Sequence, residues 1–437
     1  MRTMIMLVCA CLCLAHGRAA AADKGPDAAP RTGQYTATFT EYSPLSKPRD
    51  VYDRLGREPE KRTRGRDYKI KDRSFKVYVP DDYEPWKSYG LIVWTSSSDS
   101  GAPMKGYLKS LDKHHFIWVG ADGAGFSHDN VLWASLALDG FHNVTERYRI
   151  DPERVYCGGT AGGGNLSSML AISYADVFQG GLHLDGGASW EEFQPPNRKG
   201  PMNPHFSPRR KYLSLAKRKG RYVFATGKGA FGYARQKGVF PIYKEHFGER
   251  ARLIEKPGIK NEFELFHDME LFEQLLVWLD KPLAEGADKF TRAGSRHEQR
   301  GDYPKAFEQY FLGMTHGDDA AAKKLEQLQA DLDNGLAAAQ KLIAQQEYYE
   351  GYVKLRTLRA YGKQLAPEVF DAIAEVEADK AAMAEIQATR RLRQAWGYYK
   401  QKKFATAKKY LRQIVEKYPD TAAAEKARNA LQKAEQE

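Results

Sequence analysis

The 437 residues exceed what one compact domain usually holds and suggest two or three. Hydrophobic residues make up 42% and aromatic residues 12%, enough for a sizeable core, which excludes a wholly disordered chain. The formal net charge of +11 favours anionic partners such as acidic glycans, envelope surfaces or nucleic acid, without choosing among them.

Met1 and Arg2 open a short n-region, residues 4–14 are apolar, and four alanines at 19–22 precede Asp23. This pattern reads as a secretory signal peptide over residues 1–22. Its apolar run is too short to span a bilayer as a helix, and no later stretch is expected to cross one. The expected location is the periplasm or the cell exterior. A lipoprotein processed at Cys11 is the alternative, at the cost of an apolar run cut very short. The processed chain keeps one cysteine, Cys157, which excludes a disulfide-stapled fold and a Cys-rich zinc module. Cys157 lies in an apolar strand and reads as a small buried hydrophobe.

Residues 23–66 read as a leader followed by an irregular segment dense in Arg, Lys and Glu. From residue 67 the pattern changes. Residues 74–80 (SFKVYVP) alternate like a strand, and 91–95 (LIVWT) form the continuous apolar run of a strand buried on both faces. Further strands are expected at 116–119, 155–157, 181–184, 222–225 and, more weakly, 251–255. Helical patterns at 105–114, 132–147, 166–174, 236–247 and 270–279 fall between them. The alternation predicts an α/β domain over 67–285, a mostly parallel, doubly wound sheet with its functional loops at the carboxyl ends of the strands.

Strand signals stop near residue 286. Residues 286–437 are rich in Ala, Lys, Glu, Gln and Leu, with helical periodicity. Tyr303, Ala306 and Tyr310 recur in spacing as Phe404, Ala407 and Leu411, each set after a short polar turn, and residues 349–355 read as a more degraded third copy. Small alanines where helices would cross, and Tyr418-Pro419 closing a unit, resemble tetratricopeptide repeats. A non-repeating helical bundle is the alternative. Either way an all-α domain is expected, and a repeat array implies an envelope protein as its partner.

The most informative segment is RVYCGGTAGGGNLSSML at 154–170. A strand runs into a glycine cluster, and a helix follows at once. Spacing excludes a P-loop, because Gly164-Asn165 stands where Gly-Lys is needed. It also excludes a dinucleotide fingerprint, because Ser167 replaces the third glycine. The remaining strand–turn–helix arrangement is a nucleophile elbow, with small residues flanking one presented side chain. Gly159-Thr160-Ala161-Gly162-Gly163 has that register. With Tyr78-Val79-Pro80, Asp151-Pro152-x-Arg154-Val155-Tyr156 and Phe266-His267-Asp268, it resembles the α/β-hydrolase superfamily, in its secreted esterase and polyhydroxybutyrate-depolymerase-like branch.

The resemblance implies a Ser-acid-His triad, and this chain departs from it twice. Ala161 holds the nucleophile position, and Ala230 stands near the acid position in a loop (226–232, TGKGAFG) that has no carboxylate. Only His267 matches. A methyl group offers neither lone pair nor proton, so acyl transfer by this machinery is not expected. The chain therefore reads as a catalytically degenerate esterase homologue. An ester hydrolase with a non-standard nucleophile, and an envelope scaffold acting through its helical repeats, are the alternatives.

The cleft is expected to involve Ser96, Ser97, Asp122, Gly159, Thr160, Ala161, Gly162 and His267, from the elbow and from the loops at 95–101 and 120–127. First-turn N–H groups and small polar loops suit a carboxylate- or hydroxyl-bearing ligand, an acyl group or a sugar. Ser167 and Ser168 read as helix-packing residues. No cofactor is implied. His114, His115 and His128 lack metal-ligand spacing, so no metal site is expected. The cationic runs at 209–211 and 217–219 read as a solvated basic patch between strands. No nucleic-acid-binding motif is present.

Overall fold

The computed structural model describes residues 30–56, 68–124, 129–196 and 198–436. The expected signal peptide, the start of the leader, residues 57–67 and the part of the 120–127 loop from 125 onward lie outside the described residues.

Eight strands form one sheet: β1 (Gly33–Thr38), β2 (Ser74–Val79), β3 (Tyr89–Thr95), β4 (Phe116–Ala121), β5 (Ile150–Thr160), β6 (Gly180–Leu184), β7 (Arg221–Thr226) and β8 (Ala251–Glu255). Their spatial order is β1-β2-β4-β3-β5-β6-β7-β8. β2 runs antiparallel to both of its neighbours, and every other pair is parallel. The expected mostly parallel α/β sheet is therefore the architecture observed.

The helices of this part are α1 (Pro48–Leu55), α2 (Leu108–Lys113), α3 (Asn130–Thr145), α4 (Gly162–Ser173), α5 (Arg210–Lys219), α6 (Tyr233–Phe247), α7 (Glu262–Phe266) and α8 (Met269–Glu285). They cover both faces of the sheet, and strand residues divide between the two cores by simple alternation. Leu91, Val93, Val155 and Cys157 pack with α1, α3, α4 and α6. Ile92, Trp94, Tyr156 and Leu182 pack with α2 and α8. Burial pushes the Cys157 thiol far above its ordinary range, so it stays protonated and inert.

One expectation needs correction. The segment read as irregular contains β1 and α1. α1 places Val51, Tyr52 and Leu55 against the core, which compensates for its four charged residues. Most of the cationic runs 209–211 and 217–219 lies in α5, between β6 and β7, and this helix buries Tyr212 and Ala216 on one face.

All described structure beyond β8 is helical. It continues through α9 (Asp288–Gln299), α10 (Tyr303–Thr315), α11 (Asp319–Ala344), α12 (Tyr348–Leu358), α13 (Pro367–Ala378), α14 (Lys380–Lys400), α15 (Phe404–Lys417) and α16 (Ala422–Gln436). Three turns share one backbone device. Gly301, Gln346 and Lys402 take φ values of 72°, 62° and 59°, and the next N–H reaches back to the carbonyl of His297, Leu342 and Tyr398 respectively, a Schellman closure. After each turn an aromatic, a small and a bulky residue follow at fixed intervals: Tyr303, Ala306, Tyr310; Tyr348, Gly351, Leu355; Phe404, Ala407, Leu411. The middle copy therefore starts at Tyr348, one residue before the start read from sequence. Its small residue is needed for close packing, because a Cβ on Gly351 would lie 2.7 Å from Ile343 Cγ1.

The two parts meet through an aromatic seam. Trp86 packs edge-on against Phe307 and Phe311, with ring centroids 5.5 and 5.8 Å apart, and Phe311 also meets His115 at 5.0 Å. Arg149 pairs with Glu308 at 2.5 Å across the same boundary.

Below the sheet, Arg154 is fully buried and held by Asp280 at 2.7 Å. Tyr156 donates to the other carboxylate oxygen at 2.8 Å. Asp280→Ala strands that guanidinium without its counter-charge and should cost about 3–5 kcal/mol, measured as a lower urea midpoint.

Candidate functional site

β5 ends at Thr160, the chain reverses at Ala161, and α4 begins at Gly162. The turn is tight because backbone meets backbone. A Cβ on Gly163 would lie 2.0 Å from the Thr95 carbonyl oxygen, and one on Gly186 would lie 2.1 Å from that of Ala161. The Thr95 hydroxyl, 2.7 Å from the Gly163 carbonyl, ties β3 to the new helix. Ala161 itself has φ 48° and ψ −116°, a region that non-glycine residues occupy only under strain. Its N–H donates to the Leu184 carbonyl at 2.8 Å, and its own carbonyl accepts from Asn165 at 3.1 Å. The elbow backbone is thus built in full around a methyl group.

The remaining cleft residues divide into those at the strand ends and those committed elsewhere. Thr160 and Ser96 are buried at the ends of β5 and β3, and Ser97 is half-buried beside Ser96. Ser96 Oγ lies 2.8 Å from Ser98 Oγ. Asp122 braces the loop beyond β3: one oxygen accepts from the Gly101 N–H at 3.0 Å, and the other from the Ser74 hydroxyl at 2.8 Å, with Lys76 at 3.2 Å. Ser167 bonds the buried His183 at 2.7 Å, and Ser168 accepts from the Ala188 N–H at 2.8 Å. Both serines serve the packing of α4. His114 lies 3.2 Å from Glu273, and His128 is outside the described residues.

His267 caps the C-terminus of α7 and is exposed. Its Nδ1 lies 2.7 Å from the Phe263 carbonyl oxygen. A carbonyl only accepts, so Nδ1 carries the proton and Nε2 is left as the acceptor. The nitrogen that a triad acid would engage is therefore occupied by the backbone of its own helix.

Ala230 is buried in the loop beyond β7, where its N–H bonds the Gly227 carbonyl at 2.9 Å. The carboxylate that reaches this loop comes from the end of β6. Asp185, in a left-handed conformation (φ 51°), accepts from the Thr226 hydroxyl at 3.0 Å and the Gly232 N–H at 2.8 Å. Burial, with repulsion from Glu262 added, pushes its carboxyl from 3.8 up to about 6, against the pull of those two donors. Sequence reading missed Asp185. The available signal was a carboxylate directly after a buried strand, at the same sheet edge as the elbow. The loops beyond β7 and β8 also pack together, the Gly229 N–H donating to Ile259 at 3.0 Å. They expose Phe231 (89%) and Phe263 (63%) at their surface.

The strand order, with β2 alone antiparallel, and the reversal between β5 and α4 give the sheet and turn that the α/β-hydrolase resemblance implied. Among solved structures the chain is similar to an S-formylglutathione hydrolase from Staphylococcus aureus. Identity is 14%, 57% of this chain and 98% of that one are covered, and the TM-score is 0.36. It is also similar to esterase 2 from Thermogutta terrifontis, at 15% identity over 49% of this chain and 90% of that one, with a TM-score of 0.36. The tetratricopeptide repeat family model matches residues 391–421, which run from within α14 past the end of α15. No curated protein sequence matches the chain.

Two outcomes follow from this geometry. Ala161→Gly relieves the backbone strain and should stabilise the protein by about 1 kcal/mol after the added unfolded-state entropy, read from chemical denaturation. The raised folded-state value of Asp185 means that its protonated form favours folding. Its contribution is complete below 3.8 and is lost as pH rises through about 6. Thermal melts from pH 3.5 to 7.5 (about one unit per step) should show wild type losing stability relative to Asp185→Asn across that window.

Proposed function

We propose that this chain is an exported, catalytically degenerate esterase homologue that acts by binding rather than by acyl transfer. One observation carries the reading: the elbow keeps its strained backbone and its glycine contacts, yet the side chain at its tip is the methyl group of Ala161. No hydroxyl or thiol stands there for His267 to activate. The hydrogen bond from His267 to Phe263, and the engagement of both Asp185 oxygens by the neighbouring loop, support the same conclusion. The export part rests on the sequence of residues 1–22.

A binding role suits what remains. By helix geometry the first-turn N–H groups of α4 lack intrahelical acceptors and sit at the positive end of its dipole. With Ser96, Ser97 and Thr160 at adjoining strand ends, the cleft favours a carboxylate- or hydroxyl-bearing ligand, an acyl acid or a sugar. Phe231 and Phe263 would offer that ligand, or a partner protein, an apolar rim. The tetratricopeptide match at 391–421 favours a second reading, in which the helical array binds an envelope protein and the α/β part is an inert module.

Hydrolysis of p-nitrophenyl acetate and butyrate tests the proposal. Wild type and His267→Ala should both run at the solution background. Ala161→Ser should gain at most about 10²-fold, because the Phe263 carbonyl rather than a carboxylate engages Nδ1 of His267, and adding His267→Ala should erase that gain. Enzyme-like turnover by wild type that disappears in His267→Ala would overturn it.

A further inference from the structure

The α14–α15 hairpin differs in charge from the rest of the helical array. From Ile386 to Val415 the chain carries nine arginine and lysine residues and neither aspartate nor glutamate. Within the helical array this is a long stretch of cations with no acidic residue among them. Arg393 is paired with Glu350. Lys400, Lys402 and Lys403, at the turn, are exposed and form no ion pair among the described residues.

The same turn exposes three aromatic side chains: Trp396 (39%), Tyr399 (47%) and Phe404 (47%). Their rings pack edge to face, with centroids 6.0 Å apart for Trp396–Tyr399 and 5.0 Å for Tyr399–Phe404. At the corresponding position of the earlier copies, the chain covers its own aromatic. Tyr303 stacks on Tyr361 at 4.3 Å, and Tyr348 packs against the core of the array. Phe404 is left open beside the lysines.

We propose that the tip of this hairpin docks on an anionic lipid bilayer, with Trp396, Tyr399 and Phe404 seated at headgroup depth and the turn lysines on the lipid phosphates. Trp and Tyr favour that depth because one end of each ring is apolar and the other polar. Each lysine near the surface adds attraction to a negatively charged leaflet. A second copy of this chain fits poorly, because it would bring lysines against lysines. A nucleic-acid strand needs open ring faces on which to stack, whereas these rings spend faces and edges on each other. No helix among the described residues is long and apolar enough to cross a membrane.

Co-sedimentation of the full chain with vesicles tests this. The protein should bind phosphatidylcholine vesicles containing phosphatidylglycerol and leave those of phosphatidylcholine alone in the supernatant. Partitioning should fall about tenfold or more when Lys400, Lys402 and Lys403 are all changed to Gln. It should fall comparably in Trp396→Ala/Phe404→Ala. All five side chains are exposed, and far-UV circular dichroism checks that both variants remain folded. The proposal fails if anionic vesicles do not bind the protein or if both variants bind as wild type does.

Discussion

The molecule is organised around one close approach. The first turn of α4 lies so near the end of β3 that only hydrogen fits between Gly163 and the Thr95 carbonyl. From this contact follow the sharp reversal after β5, the left-handed backbone of Ala161 and the convergence of neighbouring strand ends on one edge of the sheet. Relaxing the turn would pull α4 away from β3 and β6 together. The strain at Ala161 is thus held by the surrounding packing, and it persists although the side chain presented there is a methyl group.

The loops around that edge have been committed to mutual support. Asp185 spends both oxygens on Thr226 and Gly232, Asp122 braces Gly101, and His267 turns its protonated nitrogen to its own helix. Groups of the types that serve acyl transfer are present, but each holds a loop in place.

Much of this was legible in the sequence, and the reasons differ by element. Strands such as 91–95 are buried on both faces and read as unbroken apolar runs. The elbow is legible because its glycines are demanded by backbone contact, whatever stands at the tip. β1 escaped because it is an edge strand whose outward residues, Gln34, Thr36 and Thr38, are polar. α1 and α5 escaped because their charges mask short apolar faces: Val51, Tyr52 and Leu55 in one, Tyr212 and Ala216 in the other. Asp185 was overlooked because the search for a carboxylate followed the strand at 222–225, whereas the group reaching that loop comes from the neighbouring strand. The repeat spacing was read correctly at its two ends, but in the middle copy adjacent tyrosines obscured the register. Only the turn backbone at Gln346 separates Tyr348 from Tyr349.

The join between sheet and array has a mechanical meaning. Only Gly286 and Ala287 separate α8 from α9, and the Trp86–Phe307–Phe311 contact with the Arg149–Glu308 pair clamps the far side of that short link. A tether fastened at two points cannot swivel. The array therefore behaves as a fixed spoke, and wherever its outer end is anchored, the direction in which the carboxyl ends of the strands face is set as well.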